Sequence, residues 1–340
     1  AGRWTYPLRV AMALALLAIL SGCVVVPVSP EEGVAVAMPQ PSATPGVGDP
    51  GIGDPYFPRV GNGGYDVQQY ILDIEVDVAA NAITGEATIL ALATEDLARF
   101  HLDFEGPPLS EVMVDGLSAS AERQNGELVI TPAQALVAGE PFTATIAYAG
   151  LPGAHRAVGD ARYSRGWHHY GDGILVASQP TGAASWYPVN DHPLDKARYT
   201  MRITVPEPYV AAANGVLIEV EEGEGLRTYH WEEDNPMASY LATVAIAEFE
   251  RVENGEAAGV PIRNYFPADL PASARAGYER TGDMLTYFSS VFGPYPFDAY
   301  GVVVHDEALG FALETQTLSI FGRGRPRENT VAHELAHQWF

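Results

Sequence analysis

Residues 70–78 read YILDIEVDV, and the alternation in that stretch decides the fold class. Leu72, Ile74, Val76 and Val78 fall on one face of an extended chain, and Asp73, Glu75 and Asp77 on the other. That is the period of a strand with one face in a core and one in water. Working outward, shorter runs of the same kind occur at GEATILALAT (85–94), GELVIT (126–131), PFTATIAYAG (141–150), ARYTMRITVP (197–206) and YLATVAIAEFE (240–250). Turn-forming residues separate them and no internal repeat is evident. Residues 56–257 are therefore expected to form a mainly antiparallel β domain, saddle- or sandwich-like.

The pattern changes after Pro261. Pro271 opens a segment in which Met284, Leu285, Phe288, Val291 and Phe292 recur at helical spacing, and Gly293 with Pro294 closes it, which predicts one helix of about twenty residues. Next comes YGVVVHDEALGFALETQTLSIFG (300–322), two apolar strand-like runs around an acidic turn. Residues 258–340 thus read as the start of a second, α/β domain. His305, Asp306 and Glu307 belong to the turn between those runs. His168 and His169 are adjacent, so on a strand they face opposite ways and do not suit one metal ion. Trp186, Tyr187 and Trp231 are assigned to packing.

The first residues do not read as part of a fold. Arg3 and Arg9 precede the apolar run VAMALALLAILSGC (10–23), too short for a comfortable membrane span but suited to a signal peptide, here residues 1–22. The run ends in Leu20-Ser21-Gly22-Cys23, which resembles the bacterial lipobox. Cys23 is the only cysteine, so an internal disulfide is excluded and lipidation is its expected role. The expected location is extracytoplasmic, as a membrane-anchored lipoprotein of the cell envelope. Residues 23–55 are rich in Pro, Gly and small side chains with no lasting period, and read as a flexible linker. The formal net charge of −24 repels nucleic acid and anionic headgroups, so neither is an expected partner and the lipid would do the anchoring.

The chemistry lies in VAHELAHQWF (331–340). In a helix, positions four apart share a face, so His333 and His337 can aim both imidazoles at one ion, with Glu334 beside it. In zinc peptidases with H-E-x-x-H the two His bind Zn²⁺ and the Glu takes a proton from water. Val331, Leu335 and Ala336 around this trio suit a helix packed into an enzyme.

Four stretches in the same order, spanning residues 55–340, together resemble the M1 family of zinc metallopeptidases, of the aminopeptidase N type, a gluzincin. GDPYFPRVGNGGYDVQQYILDIEVD (53–77) resembles the start of the family's N-terminal β domain, and QPTGAASWYPVNDHPLDKARYTMRITVP (179–206) its pocket-and-strand segment. ALGFALETQT (308–317) stands where the family carries G-A-M-E-N, and VAHELAHQWF matches its zinc helix. The resemblance implies that residues 258–340 begin a thermolysin-like catalytic domain. It implies Zn²⁺ as cofactor, held by His333 and His337, with Glu334 as general base. It further implies that Glu314 binds the α-amine of a peptide substrate with a free N-terminus, and that Gln179 lines the pocket near that amine.

Two departures qualify what the resemblance implies. Phe311, Ala312, Leu313, Glu314 and Thr315 replace G-A-M-E-N, keeping the Glu but not the first Gly or the Asn, and Phe311 could alter the pocket. In the family the third zinc ligand is a Glu on the next helix, and a Tyr further on faces the oxyanion. Both would fall beyond Phe340. The chain also starts with Ala ahead of an intact leader, so it reads as an N-terminal fragment, expected to hold zinc weakly and hydrolyse little alone. The expected function is removal of N-terminal residues from peptides. The alternatives are an endopeptidase of the same family, or a non-catalytic surface lipoprotein that binds a partner through its β domain.

Overall fold

The computed structural model describes residues 45–153, 166–307 and 309–340. The leader and Cys23 lie outside the described residues. The alternating run at 70–77 completes a strand, Tyr65–Asp77, in which Leu72, Ile74 and Val76 are buried and Asp73, Glu75 and Asp77 exposed. This strand pairs antiparallel with Ala82–Ala93 on one side and parallel with Lys196–Pro206 on the other. Around it an eight-stranded sheet runs in the order Val216–Gly223, Leu226–Ala238, Lys196–Pro206, Tyr65–Asp77, Ala82–Ala93, Pro141–Gly150, Leu109–Val114, Leu117–Ser118. Most of its ladders are antiparallel, as the alternating pattern requires when one face is solvated.

A four-stranded sheet of Gly46–Val47, Leu97–Asp103, Glu127–Thr131 and Ser120–Gln124 covers the apolar face. Phe100 from this layer lies 5.9 Å, ring to ring, from Tyr65 and 5.3 Å from Phe142, both on the large sheet. Its Gly46–Val47 strand corrects the reading of residues 45–55 as linker, because it pairs with Leu97–Asp103. Gly48 and Gly51 there serve close approach: a Cβ on Gly51 would sit 2.2 Å from the Pro58 carbonyl oxygen.

A second four-stranded sheet joins Gly166–Tyr170, Gly173–Ala177, Val244–Ala247 and Val210–Ala213. A third runs Phe249–Ala257, Val260–Pro267, Tyr300–Val304, Ser319–Phe321, antiparallel at the first pair and parallel after it. The change of sheet therefore comes at Glu248, and Phe249–Ala257 hydrogen-bonds with Val260–Pro267. The central Tyr300–Val304 strand is buried throughout, as a parallel strand covered on both faces must be. Val260, Phe266, Tyr278, Leu285, Val331 and Leu335 close a second apolar core over it.

The single helix expected from Pro271 is in fact three pieces. Ala272–Arg275 tightens into a 3₁₀ turn at Ala276–Tyr278, and a helix of 12 residues resumes at Thr281–Phe292. Packing breaks it: Gly277 passes so near Pro326 that a Cβ would lie 2.6 Å from the ring. Of the residues that defined the helical stripe, Met284 and Leu285 are buried while Val291 and Phe292 are exposed.

Candidate metal and substrate site

The last helix, Glu328–Ala336, begins just after Pro326, and Val331 and Leu335 seal its inner face completely. With that face fixed, His333 and His337 fall one turn apart on the same side. Their Nε2 atoms lie 3.1 Å apart with the rings perpendicular. Two imidazole nitrogens at about 2.0–2.1 Å from a tetrahedral Zn²⁺ would be about 3.3 Å apart, so the pair is spaced for one ion. His333 is exposed, His337 half-buried, and Glu334 between them buried.

Glu314 arrives from a different element. Leu313 bridges Ile320 through Leu313 N–H to Ile320 O at 3.0 Å and the reverse bond at 2.8 Å. The two strand-like runs expected across 300–322 are therefore unequal: Tyr300–Val304 is a full strand, whereas the second is only Ser319–Phe321 with this one bridge. Glu314 sits at the start of the turn between. Its carboxylate, that of Glu334 and a ring nitrogen of His337 all lie within 4.8 Å of one another, a set of donors suited to a metal ion. Burial first, and the Glu314 carboxylate second, push the Glu334 carboxyl up to about 7.

Gln179 completes the group, its Nε2 donating to Glu314 Oε1 at 3.0 Å. Its loop is tied to the β domain through Asp191, whose Oδ2 accepts the Gly182 N–H (3.0 Å) and whose Oδ1 accepts the Ser239 hydroxyl (2.7 Å). A cavity of about 520 Å³ is lined in part by Asp103, Glu127, Thr181 and Asp191, and by none of the histidine-pair residues. The structure thus brings together His333, Glu334, His337, Glu314 and Gln179, from three separate parts of the chain.

Residues assigned no site role from the sequence also meet here. Beside Glu314 is Tyr240, whose phenol is held above its ordinary pKa by burial and by the Glu314 charge. Gln338 is buried, and its amide reaches the Glu314 turn. A Gln one residue past a helical His carries no sequence signal for that contact. His305 is buried against Tyr170, and Trp186, Tyr187 and Trp231 are fully buried packing residues.

The profile of the Peptidase M1 N-terminal domain matches residues 66–241. Human endoplasmic reticulum aminopeptidase 1 is 28% identical over 255 residues, covering 69% of this chain and 26% of that protein. Leucyl aminopeptidase of Saccharolobus solfataricus is 28% identical over 192 residues, 50% of this chain and 24% of that protein. The crystal structure of an M1 zinc metallopeptidase from Deinococcus radiodurans superposes with a TM-score of 0.77 at 33% identity, covering 85% of this chain and 67% of that one. A mutant of the Deinococcus protein bound to a Tyr-Ser-Ala substrate gives 0.79 at 31% identity, covering 85% and 68%. The chain spans 26% or less of the length of the first three of the curated relatives it matches.

Proposed function

The chain belongs to the peptidase M1 family, and from that premise we propose that it carries the metal-binding and substrate-recognition residues of a zinc-dependent aminopeptidase. The observation that carries the proposal is the convergence of Glu314, Glu334 and His337 within 4.8 Å, beside His333. His333 and His337 hold the ion. Bound there, Zn²⁺ supplies a Lewis acid that acidifies water and polarises a carbonyl. Glu334 Oε takes the proton from the attacking water and returns it to the nitrogen of the leaving amine. Glu314, with Gln179 beside it, receives the cationic α-amine. Water screens a half-buried carboxylate poorly, so this ion pair favours chain ends over internal peptide bonds.

The test is Glu334→Gln made in a version extended to the length of the M1 relatives, which supplies the rest of the catalytic domain, assayed against an aminoacyl anilide with zinc content measured in parallel. Zinc should be retained and turnover lost by at least about a thousandfold; activity persisting in the variant would sink the base assignment. Hydrolysis of an N-acetylated peptide as fast as its free counterpart would instead favour the endopeptidase reading.

We further propose that Cys23 is lipidated and anchors the protein at the outer face of a bacterial membrane. The Leu20-Ser21-Gly22-Cys23 tetrad behind a basic and apolar leader supports this. Labelled palmitate should be incorporated in cells and lost with Cys23→Ser. Incorporation unchanged by that substitution would rule it out.

A further inference from the structure

Thr317 is a β-branched residue with φ of 63°, in the left-handed region that such side chains rarely enter. Strain of this kind persists only where the surroundings over-determine it. Here they do. The Thr317 N–H donates to Gln338 Oε1 at 2.8 Å, its hydroxyl accepts the Gly215 N–H at 2.7 Å, and its carbonyl accepts Arg263 Nη1 at 3.3 Å. These three partners come from the end of the histidine-bearing helix, from the β domain and from the third sheet. Thr317 itself is 1% exposed.

Gln338 does more than satisfy one amide. Its Nε2 lies 3.3 Å from the Glu314 carbonyl and 3.4 Å from that of Thr315, and its Oε1 also accepts the Tyr295 hydroxyl at 3.4 Å. Gln338 is 5% exposed and directly follows His337. One side chain therefore spans from the metal-facing histidines to both ends of the turn that begins with Glu314. Arg263 braces the other side, its buried guanidinium giving Nη2 to the Gly215 carbonyl at 2.5 Å.

We propose that Gln338, acting through the strained Thr317 turn, is a positioning residue that sets the register of Glu314 against His333 and His337. The distance from the metal to the amine-binding carboxylate decides which peptide bond meets the ion, so the clamp fixes cleavage to one residue from the chain end. Gln338 itself touches neither substrate nor metal. The inference rests on the reading of Glu314 as the amine-binding group, so its test includes an arm independent of that reading.

The experiment compares the whole chain with Gln338→Met, which keeps length and loses the hydrogen bonds, and with Thr317→Gly, which relieves the strain but also removes the hydroxyl that ties the turn to the Gly215 N–H. Amide hydrogen exchange is followed across residues 313–320, and calorimetry measures Zn²⁺, then L-leucine amide and its N-acetyl form on the zinc-loaded chain. In Gln338→Met the turn should exchange at least about tenfold faster, while zinc affinity stays within about threefold and the free amine binds about tenfold more weakly. Thr317→Gly should fold, keep zinc and likewise exchange faster in the turn.

Unchanged exchange in Gln338→Met overturns the clamp. Loss of zinc by the folded variant also overturns it, by making Gln338 part of the metal site. Should Gln338→Met fail to fold, Thr317→Gly decides by the same exchange and affinity readings. Faster exchange with no preference of the wild type for the free amine leaves the clamp standing and removes the amine reading of Glu314.

Discussion

In the Tyr65–Asp77 strand the buried positions are apolar or aromatic and the exposed ones polar, Ala82–Ala93 pairs along its whole length, and Lys196–Pro206 pairs with it from Gln69 to Glu75. Between Leu313 and Phe321, by contrast, Thr315, Gln316 and Thr317 are all buried although polar, and only three residues form a strand. The first region gains its stability by removing hydrocarbon from water, a non-directional effect that tolerates small shifts. The second is located by hydrogen bonds, which fail when a partner moves by less than an ångström. A site that must hold a carboxylate at a set distance from two imidazoles sits where directional bonds, and not bulk burial, fix the backbone.

The largest expected effect belongs to the apolar half. Phe100 is 1% exposed and packs edge-on to Tyr65 and against Phe142. Phe100→Ala should cost about 3–5 kcal/mol in urea unfolding, through lost transfer energy and the cavity left behind. Its zinc affinity at the histidine pair should stay at the wild-type value. A parallel fall in zinc affinity would break the comparison, showing that the sheet core sets the site geometry directly.

A smaller effect sharpens the contrast from within the β domain, where Asp195 is a polar insertion. It is 4% exposed, accepts the Val67 N–H at 3.1 Å and contacts the Asn190 amide. Burial raises its carboxyl from 3.8 to about 7, more than these bonds lower it. The folded state therefore keeps a proton that the unfolded chain gives up near pH 4. The associated stability is full below that pH, falls as pH rises towards 7, and is absent above it. Asp195→Asn should flatten this slope and gain on the order of 2–4 kcal/mol at pH 8 relative to pH 4. A variant less stable at both pH values would mean that the two hydrogen bonds outweigh the burial cost.

The same contrast explains what could be read in the sequence. Alternation in YILDIEVDV and its companions marks a solvated sheet because burial acts on every second residue, so strands such as Tyr65–Asp77, Ala82–Ala93, Pro141–Gly150 and Lys196–Pro206 were legible, whereas Val216–Gly223 and Leu226–Ala238 were not read. The H-E-x-x-H spacing was legible because a helix has a fixed period, and Val331 and Leu335 fix which face it turns. The meeting of Gln179 with Glu314 was not legible from periodicity. It joins residues far apart in the chain through a loop pinned by Asp191, and only the family resemblance pointed to it. The Thr317 turn was hidden more deeply, since a Thr at positive φ contradicts local preference and is imposed by tertiary partners. The broken helix at Ala276–Tyr278 has the same origin, a close approach between residues distant in sequence.

The smallest expected effect concerns what does not hold the site. Arg280 Nη1 lies 2.5 Å from Glu328 in the first turn of the histidine-bearing helix, with both side chains 61% exposed. So wet a pair gains little from Coulomb attraction and pays side-chain entropy for its geometry. Arg280→Ala should shift Tm by at most about 2 °C and leave zinc affinity unchanged. The helix has Val331 and Leu335 fully buried beneath it and Gln338 tying its end to the Glu314 turn. If the exposed pair nevertheless moved zinc affinity as far as Gln338→Met is expected to move amine affinity, the register of the site would be set from its solvent side. The division between apolar support and polar positioning would then fail at the element where it matters most.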